Sequence, residues 1–98
     1  MSIVIGPLIY EEEEHHHLIS LAGEKLHGQV EHDSCIITYQ ADQSDRMRFA
    51  ARWHEVLHII DVLYSINLDE DQVTCLASAI AAAVIQNKSL NWNEERNS

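Results

Sequence analysis

The chain has 98 residues, of which 46% are hydrophobic, and a formal net charge of −10 at pH 7. This length and apolar fraction predict one small folded domain and exclude a disordered chain. The six Lys and Arg residues are scattered, which argues against a nucleic-acid-binding protein because phosphate contacts need clustered cations. We interpret the acidity as favouring solubility, with attraction of cations or basic substrates as the alternative.

Targeting signals and cysteines point to a cytoplasmic protein. The first ten residues lack a basic start and contain Gly6-Pro7, so we expect no secretory signal. The longest apolar run, residues 76–85, is too short to cross a bilayer, so no membrane interaction is expected. Cys35 and Cys75 are isolated in the sequence, which favours two buried, reduced thiols over a disulfide between them.

The N-terminal segment begins with an apolar strand. Residues 3–13 carry it, and Gly6-Pro7 interrupts it, which suits a sheet edge or a bulge. Residues 11–17 then contain four Glu and three His. We interpret this run as a solvated strand end or loop, with an adventitious metal site as the alternative.

A hairpin is expected next. Residues 26–32 and 35–40 flank Asp33-Ser34, which reads as a tight turn between two strands. The second of these strands is apolar and β-branched, so at least one of its faces should be buried. Together with the first strand, these segments predict a three-stranded antiparallel sheet within residues 1–42.

Two helices should follow the sheet. Ser44 or Asp45 can cap a helix over residues 43–66. Asp69 can cap a second helix over residues 69–88, and Gln72 can complete a capping box. The apolar positions expected to form the core stripe of the second helix are Val73, Leu76, Ile80 and Val84.

The last segment, residues 89–98, is a polar tail in which Leu90 and Trp92 are expected to dock back onto the domain. The predicted fold class is therefore α+β. A small three-stranded antiparallel sheet is followed by two packed helices, and residues 1–98 form a single domain.

The first predicted helix carries the sequence His54-Glu55-Val56-Leu57-His58, an H-E-x-x-H motif. Residues four apart share a helix face, so His54 and His58 can bind one metal ion. Zinc accepts imidazole nitrogen, and a carboxylate beside a bound water can take its proton. Glu55 is therefore the candidate general base, with an ion pair to Arg52 as the alternative. In a chain this rich in His and Glu, the probability that the motif occurs by chance is about one in twenty. The residues around the motif are therefore needed to judge whether it is a metal site.

Those surrounding residues resemble a known family. HEVLHIID, then LDEDQV, then a small-residue helix ending near Asn87 resembles the compact metallopeptidase-like proteins common in bacteriophage genomes, which are related to ImmA/IrrE and SprT-like zincins. Upstream, GQVEH followed by CIIT is similar to the family's hairpin. The resemblance covers roughly residues 27–87. Arg52-Trp53 departs from the small or aliphatic residues usual before the motif, and Asp69 replaces the usual Ser or Thr.

The resemblance implies a minimal zincin-like core with the motif on the first long helix. A catalytic zinc normally has three protein ligands, and the family counterpart of Glu70 resembles the glutamate that zincins supply from the next helix. Asp61 and Asp71 are the alternative third ligands. Asp61 lies one turn beyond His58, where it is better suited to bonding a neighbouring backbone group.

The function expected is that of a zinc-dependent metallopeptidase, phage-derived, which hydrolyses a peptide or protein substrate. The alternatives are a non-catalytic zinc-stabilised module that binds a host or phage protein, and a plain helical interaction domain. The resemblance implies that the strand at residues 35–40 binds substrate as an added strand. The candidate oxyanion donors, among which the sequence does not choose, are Thr38, Tyr39, Tyr64, His27 and His32.

Overall fold

A computed structural model describes residues 2–19 and 22–87 of the chain. The elements follow the order β1 (Ser2–Ile5), β2 (Leu8–His15), β3 (Gly28–Glu31), β4 (Ile36–Gln40), α1 (Asp45–Tyr64) and α2 (Glu70–Gln86). The expected α+β class is confirmed, and both helices lie where the sequence predicts them. The polar tail, with Leu90 and Trp92, lies outside the described residues.

The four strands form one mixed sheet in the order β1-β2-β4-β3. β1 pairs with β2 and β3 pairs with β4 in antiparallel hairpins, whereas β2 and β4 run parallel at the centre. The prediction of three antiparallel strands was therefore wrong in both number and direction. Two hairpins lie side by side, and the pattern of a single strand does not reveal which strand of the next hairpin will pair with it.

The extra strand arises at Gly6-Pro7, which is a hairpin turn and not a bulge. Ile5 pairs directly with Leu8, so only these two residues connect β1 to β2. Gly6 has a φ of +57°, which glycine adopts without steric cost. A Cβ at Gly6 would also lie 3.0 Å from the Leu63 side chain, because the turn packs against the end of α1.

The molecule is layered as sheet, α1 and α2. Helix α1 packs on β1, β3 and β4, and α2 packs on α1. The core between the sheet and α1 consists of Ile5, Tyr10, Ile37, Tyr39, Ala51, Val56 and Ile59. A smaller core between the helices consists of Leu57, Val73 and Ala77. Helix α1 is thus the central layer, although Val62 and Tyr64 in its last turn are exposed.

The predicted core stripe of α2 was only partly right. Val73 is fully buried, but the residues that continue the buried face are Ala77 and Ala81, whereas Leu76 is 42% exposed. These three buried positions are spaced four residues apart. Because α2 packs on a single helix, a narrow stripe of small side chains covers the contact and lets the two backbones approach closely.

The helix starts agree with the sequence. The Ser44 hydroxyl accepts a hydrogen bond from the Met47 backbone N–H and caps α1. Asp69 accepts from the backbone N–H of Gln72 at 2.7 Å, and the Gln72 side chain accepts from the Asp69 N–H at 2.9 Å, so the predicted capping box is formed. Within residues 2–19 and 22–87, no helix combines the length and apolar character needed to cross a membrane.

The two cysteines are unpaired, and the alternative of a disulfide between them is not realised. Cys35 is half-buried at the start of β4, whereas Cys75 is exposed on α2. The expectation that both thiols are buried was therefore wrong for Cys75, because α2 is covered on one side only.

Candidate metal centre

The Nε2 atoms of the two motif histidines converge on one point. His54 and His58 lie on α1, one turn apart, and their Nε2 atoms are 3.1 Å from each other. Both side chains are half-buried, with 23% and 29% of their surface exposed. The i, i+4 spacing thus produces a pair of imidazole nitrogens that converge on one point.

Glu70 joins this pair from the first turn of α2. One carboxylate oxygen lies 2.7 Å from His54 Nε2, and the other lies 3.2 Å from His58 Nε2. The three potential ligand atoms all lie within 4.8 Å of one another. The capped start of α2 and its packing on α1 bring the carboxylate to this place, although 16 residues separate Glu70 from His54 in the sequence.

This donor set can hold a metal ion. Zinc binds imidazole nitrogen and carboxylate oxygen at about 2.0–2.2 Å, and tetrahedral angles then place neighbouring ligand atoms about 3.3 Å apart. The nitrogen–nitrogen distance of 3.1 Å and the oxygen–nitrogen distances of 2.7 and 3.2 Å are close to that spacing. Two imidazoles and one carboxylate also leave a fourth position for water or substrate.

Asp61 and Asp71, the alternative third ligands, are not in the cluster of His54, His58 and Glu70. Asp61 has a different partner, since its Oδ1 accepts a hydrogen bond from the Leu68 backbone N–H at 3.0 Å. It therefore stabilises the connection between the two helices, as expected for a residue bonded to a neighbouring backbone group.

Glu55 lies beside this cluster and is almost fully buried, with 6% of its surface exposed. Burial raises the pKa of Glu55 to about 7, and the negative charge of Glu70 adds to the rise. Among residues 2–19 and 22–87 its carboxylate has no hydrogen bond or salt bridge. A carboxyl group with a pKa near neutrality is well matched to a role as general base, because both of its protonation states are accessible.

The alternative role for Glu55, an ion pair with Arg52, is not realised. Arg52 instead binds Glu12 of β2, donating from Nη2 to Oε1 at 3.0 Å, with Nε 2.9 Å from Oε2. The Tyr39 hydroxyl donates to the same Glu12 carboxylate at 2.6 Å. This network joins α1 to two strands, and burial together with the Glu12 bond raises the pKa of Tyr39.

This network was not predicted from the sequence, although one signal was visible. Arg52 departs from the pattern of the family that the motif resembles, and a long cation beside an apolar face needs a partner. Its partner belongs to the Glu-His run, which was interpreted as solvated. That interpretation holds for most of the run but was wrong for Glu12, whose side chain is 9% exposed. Among the described residues, His15, His16 and His17 do not form part of a metal-binding group.

The group formed by His54, His58 and Glu70 lies with Glu55 in a cleft of about 630 Å³ between β3, α1 and α2. The residues that line it on the strand side include Leu26, His27, Gly28, Val30 and His32. β3 is an edge strand of the described sheet, whereas β4 is paired on both sides. The expectation that residues 35–40 add a substrate strand was therefore wrong, and the free edge beside the cleft belongs to β3.

Of the five candidate oxyanion donors, two lie at the cleft and three do not. His27 and His32 line the cleft. The Tyr39 hydroxyl is engaged by Glu12, and Thr38 and Tyr64 do not line the cleft. The structure thus brings His54, Glu55, His58 and Glu70 together with two further histidines on the opposite wall.

Comparison of the chain with protein-family models, with curated proteins and with solved structures finds no match.

Proposed function

We propose that the protein is a zinc-dependent metallopeptidase of the minimal zincin type, in which His54, His58 and Glu70 hold the zinc and Glu55 is the general base. The observation that carries the proposal is the convergence of two imidazoles and one carboxylate beside a buried glutamate in one cleft. The motif's resemblance to phage-type zincins supports the same assignment, and with it a phage origin. A cytoplasmic location is part of the proposal, since both thiols are free.

In this proposal each group in the cleft has a separate role in peptide hydrolysis. Zinc, when bound, would polarise the scissile carbonyl and acidify a water molecule. Glu55 accepts a proton from the attacking water as the oxygen of that water bonds to the carbonyl carbon. It then delivers that proton to the nitrogen that leaves when the C–N bond breaks. A substrate extended along the free edge of β3 would place its carbonyl near His27 and His32, which can donate hydrogen bonds to the developing oxyanion.

A second candidate is a non-catalytic module in which zinc stabilises the fold and the domain binds a host or phage protein. One observation favours it. Helix α2 packs on α1 and makes no comparable contact with the sheet, so an ion held by His54, His58 and Glu70 would fasten the outermost layer of the molecule. In this case Glu55 would transfer no proton.

The experiment that separates the two candidates compares the wild type with Glu55→Gln at matched zinc occupancy on a peptide library. Gln keeps the size of the side chain but cannot accept the proton. We expect cleavage to fall by about 10²–10⁴-fold, with zinc content unchanged. Glu31→Gln is the matched control, because it makes the same chemical change at an exposed position of β3. Equal cleavage by wild type and Glu55→Gln would contradict the peptidase assignment.

A further inference from the structure

Gly28, the first residue of β3, faces Glu55 across the cleft. It is one of three glycines in the chain. Gly6 and Gly23 have positive φ values of +57° and +84°, whereas the φ of Gly28 lies outside the left-handed region. A left-handed backbone therefore does not explain the glycine at this position, and the constraint to consider is the space around it.

That space is occupied by the general base. A Cβ at Gly28 would lie 3.2 Å from Glu55 Cγ and 3.5 Å from Glu55 Oε1. Carbon atoms attract one another best at about 3.5–4.0 Å, so a side chain here would push Glu55 by a few tenths of an ångström. Glu55 has little room to yield, because only 6% of its surface is exposed.

Gly28 also lies on the free edge of the sheet. The His27 carbonyl accepts a hydrogen bond from the Gln40 N–H at 3.0 Å, so residue 27 and its alternate neighbours direct their backbone groups toward β4. In an antiparallel ladder the residues between them direct their N–H and C=O groups the other way. Gly28 and Val30 therefore offer these groups to an extended peptide added at the edge.

We propose that Gly28 is a positioning residue, which sets the distance between the Glu55 carboxylate and a peptide bound along β3. The missing side chain lets the base lie directly against the strand that would hold the substrate. This inference rests on the proposed function, and it assigns a role in catalysis to a residue that touches neither the metal ligands nor the reacting bond.

A double-mutant cycle on the rate tests the role. In zinc-loaded wild type, Gly28→Ala should lower kcat by about tenfold, because small displacements of a catalytic group are costly, while KM and zinc affinity change little. In the Glu55→Gln background the same substitution should lower the rate no further, since no base is left to position. Val4→Ala, at an exposed position of β1 on the opposite edge of the sheet and outside the cleft, is the control and should leave kcat unchanged. An equal loss in both backgrounds would overturn the positioning role.

A second cycle uses the unfolding of the zinc-free protein and needs no catalysis. Gly28→Ala should lower the denaturation midpoint of the wild type but not that of Glu55→Ala, which lacks the crowded Cγ and Oε1 atoms. An equal effect in both backgrounds would overturn the contact between Gly28 and Glu55. A wild type that cleaves no peptide would overturn the proposed function, whereas equal losses in an enzyme that does cleave would overturn the positioning role alone, so the two failures are distinguishable.

Discussion

Glu70 is the one candidate metal ligand that lies outside the H-E-x-x-H motif, so it is the residue that most needs its own test. Glu70→Gln removes the carboxylate charge that sits 2.7 and 3.2 Å from the two imidazole nitrogens. Loss of a group outside the ligand set typically costs about 10–100-fold in metal affinity, and loss of a ligand should cost at least the upper end of that range. Competition with a chelator measures the change.

Asp61→Asn and Asp71→Asn are the matched controls for Glu70→Gln. Asn at position 61 keeps an oxygen that can accept from Leu68, and Asp71 neighbours Glu70 but is outside the cluster. Both variants should bind zinc nearly as well as the wild type. If either binds zinc more weakly than Glu70→Gln, the third ligand has been assigned to the wrong carboxylate.

At this scale the sequence predicts what is local and misses what is distant. His54, Glu55 and His58 share one turn of helix, so the spacing of the motif predicts that they lie together. Glu70 was predicted from the family resemblance, with Asp61 and Asp71 as alternatives, and the short connection with its capping box brings it to the two histidines. The Arg52–Glu12 pair joins residues 40 positions apart, and the approach of Gly28 to Glu55 crosses between two layers. No periodicity reports such pairs, because they depend on how the elements pack.

The first turn of α2 affects both the stability of that helix and the candidate metal site, because it carries Glu70. Asp69 caps the turn that carries Glu70, so Asp69→Ala should cost about 1 kcal/mol of unfolding free energy and also weaken zinc binding severalfold, because a frayed turn holds its carboxylate less firmly. Chemical denaturation and chelator competition measure the two effects.

Ser44→Ala is the control for that prediction. Ser44 caps α1 through the Met47 N–H, ten residues before His54, so its loss should lower stability by a similar amount without changing zinc affinity. If Asp69→Ala destabilises the protein and leaves zinc binding untouched, the cap does not position Glu70.

The helices were predictable because their capping residues and apolar positions form patterns within one continuous stretch of sequence. The sheet was predictable only as a set of strands. Glu11 to His15 looks like a solvated strand end, yet these residues pair in parallel with Ile36 to Gln40 at the centre of the sheet. Pairing between the two hairpins joins segments far apart in the chain, and the residue pattern of one strand does not reveal its partner.

For the molecule as a whole, the metal site would tie its layers together. Arg52 and Glu12 join α1 to the sheet, and the cluster of His54, His58 and Glu70 joins α1 to α2. The cleft opens where all three layers meet. In this arrangement an ion bound by His54, His58 and Glu70 would serve both candidate functions, and the proposed peptidase chemistry would depend on it.

The most direct test is therefore the zinc content of the purified chain after loading and dialysis. We expect one zinc per chain in the wild type and none in the His54→Ala/His58→Ala double variant. A variant with alanine at His15, His16 and His17 controls for adventitious binding by the exposed histidine run and should retain one zinc. A wild type that holds well under one zinc per chain, or a double variant that holds as much as the wild type, would contradict the assignment of His54, His58 and Glu70 as a zinc site.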